Sequence, residues 1–413
     1  MARGRKMRMK FNKPGQLLLV SAASLLAAGL ITACGTLTVD FVYVASSRAA
    51  GANSYGEIDV FEVNSESGHM RQIPTSPFPS GGRNPVAEAV SSDNKNLYVV
   101  NRDDNSIVQF IIGNDGKLYP QSTTNTPGIF PIAVAVHGSN LFVVDTYQPL
   151  PICSDASPCA GSIAVFPIGA GSGTKAGGGL GTPAANGSLN YWPLVVPARP
   201  NDIVLPTGVN VLATGAQVYV TAYDTSVTPS AGYVFGFSVG SDGTLSALNG
   251  GVPFAAGVHP SAVTSDPSGG FVYVTDATAG QVLGYSVASG LLIPLAGSPF
   301  PAGDQPSALV VDPAGKFLYV ANALDSNVGL YTLSAGVPTR TGSTYTTGTD
   351  PVAIGIDPSQ KHFIYTANFL GNNVSGFELN ATNGTLLNTQ GTPFTANAQP
   401  TAVAAIPHGS AVK

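Results

Sequence analysis

A single carboxylate stands out in this sequence because it interrupts an apolar pattern. Glu88 lies in PVAEAV, whereas the other inner-strand segments of the chain show Leu, Val, Ala or Ile. A carboxylate on such a strand either faces water or is buried with a partner. Arg83 is close enough in sequence to pair with it, which would give an acid–base pair or a cation ligand. The alternative is a solvated residue that only lines a channel.

His259 is the second candidate for chemistry, because it immediately precedes a proline, Pro260, that opens an apolar segment. The chain has five histidines, and they are scattered without an H-x-H pair or a cluster with carboxylates. This distribution argues against a structural copper or zinc site. The sequence therefore predicts neither a metal site nor a cofactor, and it is silent on a calcium ion bound in a channel.

Two familiar motifs occur in the wrong context. GFSVG at Gly236–Gly240 matches G-x-S-x-G, which acts as a nucleophile elbow only at a strand-to-helix turn. It aligns with GYSVA and GFELN in other segments of the chain, so we expect it inside a strand. Gly171–Ala176 matches a dinucleotide fingerprint, but further glycines follow it rather than a helix. We expect neither motif to be functional.

The candidate residues are embedded in a repeat of about 45 residues, the period of a four-stranded propeller blade. One anchor is an aromatic residue in a short apolar run, and the second is a proline that opens an apolar segment. The aromatic anchor occurs in FVYVAS (Phe41–Ser46), LYVVN (Leu97–Asn101), LFVVD (Leu141–Asp145), VYVTA (Val218–Ala222), VYVTD (Val272–Asp276), LYVAN (Leu318–Asn322) and IYTAN (Ile364–Asn368). The prolines are Pro85, Pro131, Pro206, Pro260, Pro306, Pro351 and Pro400.

The repeat predicts an all-β fold, a seven-bladed β-propeller of four-stranded antiparallel blades over residues 41–407, followed by a tail at 408–413. The chain enters at Phe41–Ser46, which has the pattern of a second strand, and leaves at Pro400–Ile406, which has the pattern of a first strand. We therefore expect the C-terminal strand to complete the first blade. Such closure removes the open sheet edges that a linear array would expose.

In a propeller of this kind, the residues before the first strands and those that end the second strands lie on one face, around a central channel. Ligands favour such concave sites. The candidates before the first strands are Arg83, Asn84, His259, Asp304, Gln305, Asp350 and Gln399, and those at the ends of the second strands are Asn101, Asp145, Asp276, Asn322 and Asn368. The alternative is that these Asn and Asp residues only cap turns.

The N-terminal residues have the features of an export signal, residues 1–33: six basic residues and then an apolar run, Leu17–Ile31, that is too short to span a bilayer. Ile31–Cys34 resembles a bacterial lipobox, which implies a lipid on Cys34, a short linker at 34–40 and an exported protein anchored at the periplasmic or cell-surface face of a membrane. Ordinary cleavage after Ala33 is the alternative. Loss of the six basic residues would bring the net charge near −11, which excludes nucleic acid as a partner attracted by bulk charge.

The third unit contains an insertion, at about residues 146–200. It includes CSDASPC and a Gly-rich tract at residues 169–188, and Trp192 follows in what we expect to be an outer strand. If Cys34 carries a lipid, Cys153 and Cys159 remain as a pair, and export permits a disulfide between them. Two reduced cysteines in a flexible loop are the alternative.

The YV-T/A-N/D anchor, together with the D-P-x-G turn, resembles the seven-bladed YVTN-repeat and lactonase-like propellers, and most closely the group named for 6-phosphogluconolactonase. The resemblance covers nearly the whole chain after residue 40. It implies the propeller fold and, for an enzyme, hydrolysis of a lactone. Cytosolic members of this group act on phosphorylated sugar lactones.

Two functions follow as expectations. The first is an envelope-anchored, monomeric binding or scaffold module that holds a protein, a glycan or a small molecule at the channel mouth and needs no catalytic residues. The second is a lactone hydrolase that acts on an extracytoplasmic sugar or other lactone. In it Glu88 or His259 would activate water, and Arg83 would hold an oxyanion.

Overall fold

The computed structural model describes residues 38–50, 53–169, 177–357, 363–397 and 399–407. The predicted signal sequence, the predicted lipidation site Cys34 and the tail at 408–413 lie outside these residues. None of the helices in the described ranges combines the length and the apolar character needed to cross a bilayer.

The described chain folds into seven antiparallel sheets, numbered here as blades 1 to 7 in the order of their second strands. The strands of blades 1 to 3 are β1 (Thr38–Ala50), β2 (Tyr55–Asn64), β3 (Met70–Gln72) and β4 (Phe78–Pro79); β5 (Pro85–Val90), β6 (Asn96–Asn101), β7 (Ser106–Ile112) and β8 (Leu118–Asn125); and β9 (Ile129–His137), β10 (Asn140–Tyr147), β11 (Ser162–Pro167) and β12 (Trp192–Pro193). Blades 4 and 5 contain β13 (Val204–Val211), β14 (Gln217–Asp224), β15 (Ala231–Val239), β16 (Leu245–Ala247) and β17 (Phe254–Ala255); and β18 (Pro260–Ser265), β19 (Phe271–Asp276), β20 (Gln281–Ala288), β21 (Leu291–Pro294) and β22 (Phe300–Pro301).

Blades 6 and 7 contain β23 (Pro306–Val311), β24 (Phe317–Asn322), β25 (Asn327–Ser334) and β26 (Val337–Thr346); and β27 (Pro351–Ile356), β28 (Phe363–Asn368), β29 (Asn373–Leu379), β30 (Leu386–Asn388) and β31 (Phe394–Thr395), followed by β32 (Pro400–Pro407). Helices in the described ranges are single 3₁₀ turns at Arg102–Asp104 and Asn249–Gly251. Gly236–Val239 of the G-x-S-x-G segment lie in β15 and Gly240 begins the following turn, while Trp192 begins the outer strand of blade 3, so both predictions are confirmed.

The ring closes as the sequence predicts, because the last strand pairs with the first. β32 runs antiparallel to β1, with Phe41 opposite Ile406 and Val44 opposite Val403, and it forms the innermost strand of blade 1. The innermost strands contact one another in the cyclic order β32, β5, β9, β13, β18, β23, β27 and back to β32. All-β architecture with seven blades around one axis is therefore the fold of the described chain.

Neighbouring blades are joined by a recurring hydrogen bond from the aromatic anchor of the second strand. Tyr319 in β24 is fully buried, and its hydroxyl donates to the carbonyl of Gly384, in the β29–β30 turn of the next blade, at 2.7 Å. The same bond is made by Tyr43, Tyr98, Tyr219 and Tyr273 to the carbonyls of Gly116, Gly178, Gly290 and Gly336. These turns lie at the ends of the blades opposite the face that carries the prolines of the inner strands. The tyrosines therefore fix the spacing between neighbouring blades at that opposite end.

Each innermost strand has a bulge just after its opening proline. In β5 the pairing shifts between Pro85 and Ala87, and equivalent shifts follow Pro260, Pro306 and Pro351. A bulge re-aims the neighbouring side chains. Here the bulge residue often carries a hydroxyl group that reaches the next blade: Thr401 donates to the carbonyl of Pro85 at 2.8 Å, and Ser261 to that of Pro306 at 2.6 Å.

Candidate functional site

The residue before each inner-strand proline stands at the mouth of the channel, one per blade. We call these seven the rim residues: Gln399, Asn84, Phe130, Leu205, His259, Gln305 and Asp350, in order from blade 1 to blade 7. Five of them, Asn84, Phe130, Gln305, Asp350 and Gln399, have φ between 44° and 60°. Because non-glycine residues rarely adopt this left-handed conformation, it marks a backbone that the surrounding loop has fixed.

Residues at the channel mouth form an aromatic arc and a polar arc. The aromatic arc, at blades 3 to 5, consists of the rim residues Phe130 and His259 together with Tyr147 and Tyr223 of the second strands β10 and β14. The rim residue of blade 4, Leu205, is apolar and lies opposite Tyr223. Phe130 packs edge-on against Tyr147, with ring centroids 6.1 Å apart, and Tyr223 packs against His259 at 4.0 Å. The polar arc consists of Gln305, Asp350, Gln399 and Asn84, from blades 6, 7, 1 and 2. A mouth of this composition offers ring faces on one side and hydrogen-bonding groups on the other.

His259 is the residue of the rim that is best suited to proton transfer. Its backbone N–H donates to the Asp276 carboxylate at 3.1 Å, whereas neither ring nitrogen has a hydrogen-bond partner among the described residues. Partial burial lowers the pKa of the imidazole, and the negative charge of Asp276 only partly opposes this shift. At neutral pH the side chain is therefore an uncharged base with free nitrogens.

The two phenols of the aromatic arc remain proton donors. Burial raises the pKa of Tyr223, and burial together with a hydrogen bond to Asp155 raises that of Tyr147. Tyr147 donates this bond at 3.1 Å to Oδ1 of Asp155, which lies within the Cys153–Cys159 disulfide loop. The bridged loop thereby holds one side of the aromatic arc.

Arg102 joins the same cluster from blade 2. Its guanidinium carbon lies 4.2 Å from the centroid of the Phe130 ring, and its nitrogens pair with Asp103 at 3.0 Å and with Asp155 at 3.7 Å. A guanidinium stacked on a ring and paired with carboxylates orders both groups. Arg102, Phe130, Tyr147, Tyr223 and Asp155 were not among the candidate site residues from the sequence. A comparison of the position before each repeat proline would have revealed the aromatic substitution at Phe130.

Glu88 does not face the mouth. It points from β5 toward blade 1, where its carboxylate oxygens are buried without a hydrogen bond of good geometry. Burial raises its pKa to about 8, and the nearby backbone amides of Ala404 and Ala45 offset only part of that rise. The carboxyl group is therefore largely protonated at neutral pH, and it lies between two blades.

Arg83 lies apart from Glu88, on the exposed surface of the same loop. Its guanidinium binds Asp104 at 2.6 Å, and its backbone N–H donates to the same carboxylate at 2.7 Å. The hydrogen bond and the charge of Asp104 raise the pKa of Arg83. The structure thus does not bring together the pair that the sequence suggested.

The Asn and Asp residues that end the second strands are buried beneath the rim, where most of them bind loop backbone and Asn368 binds neighbouring side chains. Asp276 accepts hydrogen bonds from the amides of Val258, His259, Thr278 and Ala279. Asp145 accepts from Gly128 and Asn322 from Gly303, both at 3.1 Å, while Asn368 donates to Asn373 at 2.7 Å and Asn101 to Ser80 at 3.5 Å. These side chains shape the loops that present the rim residues.

The remaining candidates stay at the surface. Asn84 donates to Asp103 at 3.3 Å, and Asp304 donates its backbone N–H to Asp325 at 2.9 Å. Asp350 is half-buried in the polar arc, and burial raises the pKa of its carboxyl group. No group of three or more His, Cys, Asp or Glu side chains able to hold a metal occurs within the described ranges.

Comparison with known proteins agrees with this architecture. The chain matches the family described as "Lactonase, 7-bladed beta-propeller" over residues 48–148 and 290–404. A comparison with curated proteins finds no match.

Solved structures share the fold at low identity. A candidate 6-phosphogluconolactonase from Bacteroides fragilis has a TM-score of 0.67 at 20% identity and covers 90% of this chain and 98% of its own. The periplasmic gluconolactonase of Pseudomonas aeruginosa has a TM-score of 0.67 at 18% identity, with 89% and 99% covered. The repeat, the closed ring and the family match together show that this chain belongs to the seven-bladed β-propeller lactonase family.

Proposed function

We propose that the protein hydrolyses a lactone at the channel mouth, with His259 as the general base and Tyr223 as the donor to the carbonyl oxygen. The observation that carries the proposal is the imidazole of His259, uncharged and with free nitrogens, packed at 4.0 Å on a protonated phenol. It lies at the mouth of a propeller from the lactonase family.

The chemistry requires one base and one oxyanion donor. A ring nitrogen of His259 takes a proton from water as the water oxygen attacks the lactone carbonyl. The Tyr223 hydroxyl donates a hydrogen bond to the carbonyl oxygen as negative charge develops there. When the tetrahedral intermediate collapses, the bond between the carbonyl carbon and the ring oxygen breaks, and the imidazolium returns its proton to the departing alkoxide. The products are a hydroxy acid and the free enzyme.

The proposal reassigns the roles that the sequence suggested. Glu88 is excluded from the reacting groups because its carboxyl is enclosed between blades. Arg83 is neutralised by Asp104 and lies outside the aromatic arc. The binding or scaffold role also expected from the sequence remains a prediction that a failed hydrolysis test would favour.

The test is turnover of a panel of γ- and δ-lactones by the full chain, followed by acid release. We expect His259→Gln to lower kcat by about 10²-fold or more and Tyr223→Phe by about 10²-fold. His137→Gln is the matched control, since His137 ends β9 at the far side of the propeller from the mouth. Absence of turnover on every lactone, or full activity of His259→Gln, would overturn the proposal.

A further inference from the structure

The three arginines whose side chains the structure describes on the face of the channel mouth are already paired with carboxylates. Arg83 binds Asp104 at 2.6 Å, and Arg102 binds Asp103 at 3.0 Å as well as Asp155. In blade 4, Arg199 lies 3.0 Å from both Asp202 and Asp224. Each guanidinium is therefore paired with carboxylates of the protein itself. Arg102 and Arg199 each have two such partners.

Carboxylates on the same face outnumber these cations. Asp350 is a rim residue, and its carboxylate accepts no hydrogen bond from the described residues. Asp304 is exposed and immediately precedes Gln305, the rim residue of blade 6. Of its hydrogen-bonding groups, only the backbone N–H is bonded within the described residues. His259 contributes no positive charge at neutral pH. Among the four side chains of the polar arc, the charged group is therefore the carboxylate of Asp350.

These paired arginines offer few free cationic donors to a phosphate or carboxylate group on a ligand, and such charge-assisted donors are the strongest replacements for its hydration. The aromatic arc instead presents the partly exposed rings of Phe130 and Tyr223, which can pack against apolar C–H surfaces, whereas Tyr147 is buried. The polar arc presents two amides, Gln305 and Gln399, which bind hydroxyl groups without regard to charge.

We infer that this mouth selects uncharged, polyhydroxylated lactones and rejects phosphorylated ones, with Asp350 as a residue that determines this specificity. The inference rests on the proposed hydrolysis and adds the substrate class to it. The lactone ring would lie on the aromatic arc, with its hydroxyl groups toward Gln305 and Gln399. An anionic substituent pointing to the polar arc would approach Asp350.

The experiment compares D-glucono-1,5-lactone with its 6-phosphate as substrates of the full chain. We expect kcat/KM to be at least about tenfold higher for the uncharged lactone at low salt. Higher ionic strength should raise kcat/KM for the phosphorylated lactone and leave the uncharged one unchanged, because salt screens repulsion between exposed charges.

Asp350→Asn tests the specificity residue. It should raise kcat/KM for the phosphorylated lactone about fivefold relative to the uncharged one. Asp242→Asn removes the same unit of charge from an exposed turn of blade 4 that lies at the opposite end of its strands, and it should leave this ratio unchanged. Equal or better turnover of the phosphorylated lactone by the unmodified chain would overturn the inference.

Binding separates this inference from the proposed hydrolysis. The gluconolactam and its 6-phosphate resemble the two lactones but resist hydrolysis, and calorimetry reports their affinities directly. Tighter binding of the uncharged lactam, without turnover of any lactone, would sustain the selectivity and remove the hydrolysis. Equal affinity, tighter binding of the phosphorylated lactam, or no binding of either one would overturn the selectivity.

Discussion

The hydroxyl of Tyr319 donates a 2.7 Å hydrogen bond to the carbonyl of Gly384 in the following blade, whereas Tyr365, at the same position of blade 7, has a buried hydroxyl without a partner among the described residues. Two equivalent residues therefore differ in a single interaction. Blade 3 has Phe142 at this position, which shows that the packing tolerates a ring without the hydroxyl.

This pair gives a matched prediction. Tyr319→Phe leaves the Gly384 carbonyl unsatisfied and should lower the free energy of unfolding by about 1–3 kcal/mol. Tyr365→Phe removes a hydroxyl that bonds to nothing described, so it should be neutral or stabilising. Urea unfolding of both variants measures the difference, and equal losses would show that the inter-blade bond contributes nothing.

Glu88→Gln should change how stability depends on pH. Since burial raises the pKa of Glu88 to about 8, the folded protein favours the protonated form. The contribution of Glu88 to stability should be greatest below about pH 4.5 and should fall as the pH rises toward 8, by up to about 4 kcal/mol.

The glutamine variant lacks this titration, so its stability relative to the unmodified chain should increase between pH 5 and pH 8 and then level off. Thermal unfolding across that range is the measurement. Glu378→Gln, at an exposed glutamate of β29, is the control and should show no such trend. A constant difference between the unmodified chain and Glu88→Gln at all pH values would contradict the buried state of Glu88.

The pH dependence of catalysis should report His259. Because partial burial lowers the pKa of the imidazole, the acid limb of kcat/KM should lie below pH 6.5. Activity should fall about tenfold per pH unit beneath that pKa, as the base becomes protonated. The limb should persist in His137→Gln and vanish from the residual activity of His259→Gln. An acid limb that survives in His259→Gln would assign it to another group.

The disulfide loop should matter more for substrate binding than for global stability. The two cysteines are only six positions apart, so replacing both by serine should lower the free energy of unfolding by at most about 2 kcal/mol. The same change frees Asp155 and with it Tyr147, so we expect KM to rise about threefold to tenfold.

Asp155→Asn keeps the bridge but weakens the contacts to Tyr147 and Arg102. It should reproduce part of the rise in KM with little change in melting temperature. If the double serine variant melts far lower and binds substrate normally, the loop stabilises the fold instead of the site.

Removal of residues 400–413 should abolish the monomeric fold. It deletes β32, whose Ile406, Val403 and Ala405 pack in the hydrophobic clusters between blade 1 and its two neighbours, and it exposes the edge of β1 to other chains. Removal of residues 408–413 alone keeps β32 and serves as the control. Size-exclusion chromatography and thermal melting distinguish the two, and a soluble monomer with unchanged melting after the larger deletion would refute a stabilising role for ring closure.

The architecture was largely predictable because each unit repeats the same two sequence features, a proline that opens the first strand and an aromatic apolar run in the second. Pro306 and the aromatic run ending at Asn322 open and close the first two strands of blade 6, where the sequence predicted them. Pairing of Pro400–Pro407 with the first strand followed from which strand type stood at each end of the chain.

The site was less predictable, for two physical reasons. A one-residue bulge after Pro85 changes which way the following side chains point, so the sequence could not tell whether Glu88 faces the channel or the neighbouring blade. Asp276 was expected among the ligand-binding residues, but its carboxylate accepts hydrogen bonds from the loop amides of Val258 and His259. In the aromatic arc, Phe130 replaces the polar residue that most units carry before the inner-strand proline. The features that the units share could not predict such a replacement.

The pairing of β1 with β32 also determines the order in which the blades can be completed during folding. Blade 1 is begun first and finished last, because its innermost strand leaves the ribosome after all the other blades have been made. Throughout synthesis the inner edge of β1 has no strand to pair with. The pairing of β1 with β32 forms in one late step, between segments from opposite ends of the chain. Contacts so distant in sequence form slowly, so the nascent ring must be kept from pairing with other chains until residues 400–407 arrive.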